Sequence, residues 1–161
     1  MKKKNIIIAV LILIVVIAFI AVSSLRYKSS DIVSIEYSIS SSYGTMADTA
    51  TRYVKFTPDG KVFLSNSYDS STDSFNIKKE EYDDLANYIN KRISVFDKKA
   101  KEDLDVMDGN KSRITIKFKN GKNKSLGGYM VSNKTYNEIV EKINALIDND
   151  TYRNYSHNIG K

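Results

Sequence analysis

The stretch RITIKFKNGKNK, residues 113–124, contains the pattern that decides the fold of this chain. Apolar residues alternate with polar ones as far as Phe118, which is the period-two pattern of a half-buried strand. Asn120-Gly121 follows, the pair most typical of a two-residue hairpin loop, and a weaker strand comes after it. The stretch therefore predicts a β-hairpin with one face on a hydrophobic core.

A helix is predicted to follow this hairpin. Ser132 or Asn133 can cap its first turn, and the apolar residues beyond them recur at steps of three and four, which places them on one helical face. This stripe consists of Tyr136, Ile139, Val140, Ile143, Leu146 and Ile147.

The first half of the chain has the same order of elements. A strand over residues 31–40 comes first, and a hairpin then turns at Pro58-Asp59-Gly60, where the glycine accepts the left-handed conformation that lets the strands close. The sequence leaves open whether a short fourth strand follows at Phe75 and Ile77. The core side of these elements is predicted to contain Val33, Ile35, Tyr37, Ile39, Val54, Phe56, Val62 and Leu64, and a helical stripe of Tyr82, Leu85, Ile89, Ile93 and Phe96.

These elements predict an α+β fold, with an antiparallel sheet, two helices on one of its faces and the order β-β-β-(β)-α-β-β-α. The two halves also share residues around their turns, such as Gly60-Lys61 and Gly121-Lys122. A ββα pseudo-repeat is one interpretation of this likeness. Two independent hairpins that use the same turn chemistry are the other.

An unbroken apolar run occupies residues 6–22, behind three lysines. Its seventeen residues, or twenty counted to Leu25, would form a helix about 26 to 30 Å long, which matches the hydrocarbon core of a bilayer. The preceding lysines favour a cytoplasmic N-terminus and an extracytoplasmic domain. The alternative is a cleaved secretory signal ending at Ala21-Val22-Ser23, although the run exceeds the usual signal core of about 7 to 15 residues.

We therefore divide the chain into four segments. Residues 1–25 are predicted to be a membrane anchor (or a signal peptide), 26–30 a short linker, 31–150 an extracytoplasmic α+β domain, and 151–161 a flexible tail.

Charge within the predicted domain is balanced. Seven of the 25 basic residues lie outside residues 31–150, whereas all 19 acidic residues lie within them. The remaining 18 basic residues therefore give this range a formal charge of −1. A strongly basic, nucleic-acid-binding domain is not indicated. The chain has no cysteine, so it has neither disulfides nor a lipid-modified cysteine, and an exported domain must depend on its packed core.

Lysines cluster on the second hairpin. If its loop has two residues, Lys119 lies opposite Lys122. Lys117 then lies opposite Lys124, on the same face as Arg113. Like charges directly across a ladder cost up to about 1 kcal/mol, so these five residues are a candidate face for a polyanion such as anionic lipid or a phosphate-rich wall polymer. The alternative is that the lysines only keep an exposed edge soluble.

No catalytic, cofactor or metal site is recognisable. The single histidine, His157, lies in the predicted tail, so no Ser-His or Cys-His pair can be built within the domain. Nucleophile-elbow, zinc-protease and phosphate-loop motifs are missing. A hydrolase that uses two carboxylates has no characteristic spacing and remains an alternative.

Part of the C-terminal half resembles a known group of proteins. The resemblance covers residues 106–109, 114–118 and 120–122, with Gly128 and Tyr136. The pattern of Asp-Gly, strand, Asn-Gly-Lys turn, strand, glycine and helix is similar to that of small exported, membrane-anchored proteins of Gram-positive anaerobes, which have no assigned activity. The resemblance implies an exported bacterial α+β domain and no particular site.

The function predicted from sequence is a non-catalytic binding module at the bacterial cell envelope. A single-pass anchor would hold it at the membrane, and its partner would be an anionic lipid, a wall polymer or a membrane protein. The alternative function is a carboxylate-dependent hydrolase of envelope polymer.

Overall fold

The computed structural model describes residues 8, 11–15, 27–41, 51–67, 70–97, 110–131 and 133–147. The predicted tail, most of the apolar run 6–22, the alternative cap Ser132, the loop 42–50 and the connection 98–109 lie outside this part of the chain.

The described domain is α+β, as predicted, and its elements follow the predicted order with the fourth strand included. They are β1 (Ile32–Ser41), β2 (Thr51–Phe56), β3 (Lys61–Asn66), β4 (Thr72–Asn76), α1 (Lys79–Asn90), β5 (Asn110–Phe118), β6 (Asn123–Tyr129) and α2 (Lys134–Leu146). Two short 3₁₀ helices, Ser29–Asp31 and Ile93–Asp97, precede β1 and follow α1.

The strands form one six-stranded antiparallel sheet in the order β4-β3-β2-β1-β5-β6. The first strand is therefore central, with one hairpin on each side of it. Cross-strand pairing places Ile35 beside both Phe56 and Ile116, so the apolar residues of neighbouring strands share one face. This alignment gives the sheet a continuous hydrophobic surface.

Both helices cover that apolar face. Their buried residues join those of the strands in one core, namely Tyr82, Leu85, Ala86 and Ile89 from α1, and Tyr136, Ile139 and Ile143 from α2. The N–H of Lys78 donates to the Glu81 carboxylate at 2.8 Å, and Asn133 Oδ1 accepts from the N–H of Tyr136 at 3.0 Å. Each bond satisfies a backbone group that a helix start leaves free.

One predicted core position and one predicted helix end differ from the structure. A register irregularity between Ile32 and Ser34 places Ile32 in the core, with 1% of its surface exposed, whereas Val33 is 37% exposed. The helix predicted to run to Phe96 ends at Asn90, where the N–H of Arg92 bonds to the carbonyl of Ile89 and 3₁₀ geometry begins. Phe96 is still buried, but it reaches the core from the 3₁₀ turn.

The pseudo-repeat interpretation, which aligns the β2-β3 hairpin with the β5-β6 hairpin, does not match the topology of the sheet. Both β2 and β5 run antiparallel to β1, and they lie on opposite sides of it. The chain therefore proceeds outwards in opposite directions in the two hairpins, while both helices lie on the same face. The units β2-β3-α1 and β5-β6-α2 therefore have opposite hand and cannot be superposed by rotation.

Among the described residues, no helix is long and apolar enough to cross a membrane. Residues 11–15 of the apolar run are helical.

Candidate functional site: the open face of the sheet

The second hairpin has a three-residue loop instead of the predicted two-residue loop. The N–H of Phe118 bonds to the carbonyl of Lys122 at 3.0 Å, and the N–H of Gly121 bonds to the carbonyl of Phe118 at 2.9 Å. Gly121 has φ +77, the left-handed conformation that completes a three-residue turn with a bulge. Phe118 and Lys122 therefore close the hairpin, and Lys119 lies within the loop.

This difference in register separates the five predicted polyanion-binding residues. Lys117 pairs with Asn123, and Lys124 pairs with the core residue Ile116, so the expected lysine pairs do not form. A shift of one residue moves a side chain to the other face of a sheet. Arg113 and Lys117 therefore lie on the face away from the helices, whereas Lys124 lies on the helix side and Lys119 and Lys122 lie at the turn.

Lys124 has a structural partner on the helix side. Only 16% of its side chain is exposed, its ammonium forms an ion pair with Asp97, and it lies 5.5 Å from the centre of the Tyr27 ring. These contacts connect β6 to the 3₁₀ helix after α1 and to the segment that enters the domain.

The face away from the helices, which we call the open face, carries a different cationic cluster. Its residues alternate with the core residues along β1, β2, β3 and β5, and its cations are Lys55, Lys61, Lys111, Arg113 and Lys117. Glu36 is the one acidic residue among the described strand positions of this face. The open face thus has four more positive than negative charges, although the predicted domain as a whole is near neutral.

Glu36 lies at the centre of this face and is nearly buried. It is 6% exposed, and neighbouring Ser34 is 2% exposed. One carboxylate oxygen, Oε1, lies 2.7 Å from Lys117 Nζ and accepts a hydrogen bond from Ser34 Oγ at 3.1 Å. The Tyr53 hydroxyl also donates to this carboxylate. The charge at the centre of the sheet is therefore balanced by one ammonium and hydrogen-bonded by two hydroxyl groups.

These partners control two pKa values. Burial raises the pKa of Glu36, but the hydrogen bonds from Lys117, Tyr53 and Ser34 and the charge of Lys117 outweigh it, so the pKa is below its usual 4.5. Burial, the hydrogen bond to Glu36 and the charge of Glu36 together raise the pKa of Tyr53. Glu36 is therefore ionised, and Tyr53 protonated, at neutral pH.

Acid is expected to destabilise the domain through Glu36. Because its pKa is lower in the folded state, ionised Glu36 stabilises the fold above its usual pKa of 4.5, and this contribution is lost as the pH falls through the folded-state pKa. Glu36→Gln should lower the free energy of unfolding by about 1 to 3 kcal/mol at neutral pH and by less in acid. Urea unfolding at several pH values measures both effects.

The control for this prediction is Glu141→Gln, which changes an exposed carboxylate on α2. Its stability should follow that of the unmodified protein across the pH range. A Glu36→Gln curve parallel to that of the unmodified protein would show that Glu36 does not contribute this pH dependence.

Aromatic rings and hydroxyl groups lie beside the cations. Lys55 Nζ and Lys61 Nζ lie 5.9 and 4.8 Å from the centre of the Phe63 ring, which is 37% exposed. A shallow depression of about 370 Å³ opens next to this ring, and it is lined by Tyr53, Phe63, Leu64, Ser65, Thr72, Asp73 and Ser74. The open face therefore offers cationic, aromatic and hydroxyl groups within one surface.

Sequence reasoning missed most of this face. The polar members of each predicted strand, such as Glu36, Lys55 and Lys111, are visible in the alternating pattern. Their common face could have been predicted, because the polar side of every half-buried strand lies opposite its apolar side. The order of the strands in the sheet could not have been predicted, because the central position of β1 is a property of the whole sheet.

In the described part of the chain, no group of three or more histidine, cysteine, aspartate or glutamate side chains is placed to hold a metal ion. Among those residues, Glu36 is surrounded by an ammonium and two hydroxyl groups and has no second carboxylate as a partner.

No protein-family model matches this chain, and the search of curated proteins finds no significant match.

Proposed function

We propose that the domain is a non-catalytic binding module of the bacterial cell envelope, whose open face binds an extended anionic polymer of the wall. The observation that carries the proposal is the separation of charge. Among the described strand residues, five cations and one carboxylate share a face that neither α1 nor α2 covers, whereas residues 31–150 as a whole have a formal charge of −1.

The cations of the open face have few internal partners. Of the five, Lys117 is the one with a described ion pair, and it is shared with Glu36. Lys111 and Arg113 are exposed and lie across from Ser40 and Ser38, so their cross-strand neighbours carry no charge. A cluster of cations that the protein does not neutralise attracts a polyanion.

A linear polymer suits this face better than a flat lipid surface does. Lys111, Arg113 and Lys117 follow one strand, with a spacing of about 6.6 Å between alternate residues. Lys55 and Lys117 are only partly exposed, so a chain that follows the surface can reach them more easily than a bilayer can. The aromatic rings and hydroxyl groups beside them suit the sugar or polyol units of a phosphate-bearing polymer.

The surroundings of Glu36 also favour binding over hydrolysis. A general acid in a carboxylate pair needs a raised pKa, whereas the pKa of Glu36 is lowered. Its role in the proposed site is to hold Lys117 and Tyr53 in place on the face.

The N-terminal run would keep this module at the membrane. Ile8 and residues 11–15 have side chains that are 49 to 66% exposed. An exposed series of large apolar residues is typical of a surface that contacts lipid or protein. We propose that it is the single-pass anchor, with the N-terminus cytoplasmic and the domain outside.

Charge reversal on the open face is expected to abolish most polymer binding. The test uses the full chain in nanodiscs of neutral lipid and measures the fluorescence anisotropy of labelled poly(glycerol phosphate) at several salt concentrations. K111E/R113E should weaken binding by about thirty-fold or more, since each cation near an anionic partner contributes roughly 1 kcal/mol. Binding by the unmodified protein should weaken as salt increases.

The matched control is K91E/K134E, which makes the same change in net charge at exposed lysines following α1 and beginning α2. It should bind within about two-fold of the unmodified protein, and thermal unfolding checks that both variants fold. Equal loss in both variants would contradict an open-face site. The choice of partner would be contradicted if the protein bound anionic vesicles more tightly than the polymer and if that vesicle binding depended on Lys111 and Arg113.

A further inference from the structure

The chain enters the sheet at the end where the two hairpin loops lie. The N–H of Lys119 in the second loop donates to the carbonyl of Asp31 at 2.8 Å, just before β1 begins. The rings of Tyr27 and Phe118 are 4.1 Å apart at the same place. We call this end of the sheet, formed by residues 27–31, 57–61 and 118–122, the entry end.

Exposed lysines cluster at the entry end. Lys28 lies in the entering segment, Lys119 and Lys122 lie in the hairpin loop beside it, and Lys61 follows the other loop. Within the described residues, none of these four has an ion-pair partner.

The two acidic side chains within these three segments are hydrogen-bonded within their own turns, and Glu80 and Glu81 lie nearby in the first turn of α1. Asp31 accepts a hydrogen bond from the backbone N–H of Lys28, and Asp59 accepts one from Thr57 Oγ1. The three segments together contain four lysines and two aspartates, which gives the entry end a formal charge of +2.

We propose that the entry end rests on anionic lipid head groups, so that the sheet stands upright on the membrane with its open face turned sideways. This inference depends on the proposed anchor. Six residues separate Leu25, at the end of the apolar stretch, from Ile32 at the start of β1. Fully extended they span at most about 21 Å, and the 3₁₀ turn at Ser29–Asp31 shortens that reach.

The opposite end of the sheet lies too far away to share this contact. The ten residues of β1 rise about 3.3 Å each, so the far end is about 30 Å from the entry end. Head-group charge is screened beyond about 8 to 10 Å at physiological salt. An upright orientation also leaves Lys111 and Arg113 free for a polymer, and Lys61 is the one residue that belongs to both groups of cations.

Single-cysteine labelling can test this orientation, because the chain contains no cysteine. The full chain is reconstituted into vesicles of phosphatidylcholine with or without phosphatidylglycerol, and flotation first confirms that it is anchored. A fluorophore is placed at Asn123→Cys, near the entry end, or at Thr72→Cys, at the far end, and both positions are exposed. Quenching by lipids with a nitroxide on the head group then reports proximity to the surface.

We expect strong quenching at position 123 in the anionic vesicles, weak quenching there in neutral vesicles, and little quenching at position 72 in either. K119E/K122E should lower the ratio of docked to free domain by about five-fold or more for each lysine. K111E/K134E makes the same change in charge at the far end, and it should leave quenching at position 123 unchanged.

Two results would overturn the inference. A chain that floats with the vesicles but is quenched equally at positions 72 and 123 overturns the upright orientation alone, and leaves the anchor and the polymer site in place. A chain that does not float overturns the anchor and, with it, this orientation, whereas the polymer assay still reports on the open face.

Discussion

Phe56→Ala is expected to lower the free energy of unfolding by about 3 to 5 kcal/mol, the range for removing a buried aromatic ring from a core. Phe56 is 0% exposed and pairs with Ile35 on the central strand and with Val62 on the other side. Both cross-strand neighbours are buried and apolar, so removing the ring leaves a cavity in the core. Urea unfolding of the variant at neutral pH measures the loss.

Phe63→Ala is the matched control, because it removes the same ring from the same hairpin. Phe63 is 37% exposed and points to the open face, so its loss should cost about 1 kcal/mol or less. The contrast between the two variants reports which side of the hairpin faces the core. Equal destabilisation would contradict the assignment of faces on which the open-face site depends.

Gly60→Ala is expected to lower the free energy of unfolding by about 2 to 4 kcal/mol. Gly60 has φ +82, where a side chain costs roughly 1 to 2 kcal/mol. A Cβ at this position would also lie 2.5 Å from the carbonyl oxygen of Ile77, a backbone atom that cannot move without shifting the start of α1. Ile77 is also held next to the turn, because its own N–H donates to the carbonyl of Gly60 at 2.9 Å.

Gly121→Ala separates the two causes of this loss. Gly121 occupies the same position in the second turn, with φ +77, but a Cβ there would meet no atom within 4 Å. It should therefore show only the conformational cost of about 1 to 2 kcal/mol. Equal effects of the two substitutions in thermal or urea unfolding would show that the contact with Ile77 is unimportant.

The local patterns of the sequence predicted most of the elements but not their arrangement. Alternation at Val54, Phe56, Val62 and Leu64 identified the first hairpin, and all four residues are buried. The stripes that begin at Tyr82 and Tyr136 identified both helices. These patterns depend on nearest neighbours along one strand or helix, which is why they can be recognised without knowledge of the sheet.

The candidate site depended on a register that the sequence left ambiguous. Asn-Gly suits a two-residue loop, but it equally completes a three-residue loop in which Gly121 is the last residue. The apolar pattern supports the second choice, because only that loop places Leu126 beside Ile114 on the core face. Testing each loop against the apolar residues of both strands would have found the correct register.

The position of the last core residue relative to the turn explains why the two hairpins, each taken with the helix that follows, have opposite hand. The turns themselves are equivalent, since Thr57 and Phe118 each donate to the carbonyl four residues on, at 3.0 Å. In the first hairpin the last core residue is Phe56, one position before Thr57, whereas in the second it is Phe118 itself. One residue of offset exchanges the faces of a strand, so the helices cover opposite sides of two equivalent hairpins.

Chemical-shift mapping of the domain's backbone amides during addition of poly(glycerol phosphate) tests the proposed binding face most directly. We predict that the largest shifts occur along β1, β2 and β5 around Lys55, Arg113 and Lys117, that they diminish as salt is added, and that α1 and α2 change little. Shifts concentrated on the two helices, or an absence of shifts at polymer concentrations that saturate binding, would contradict a binding site on the open face.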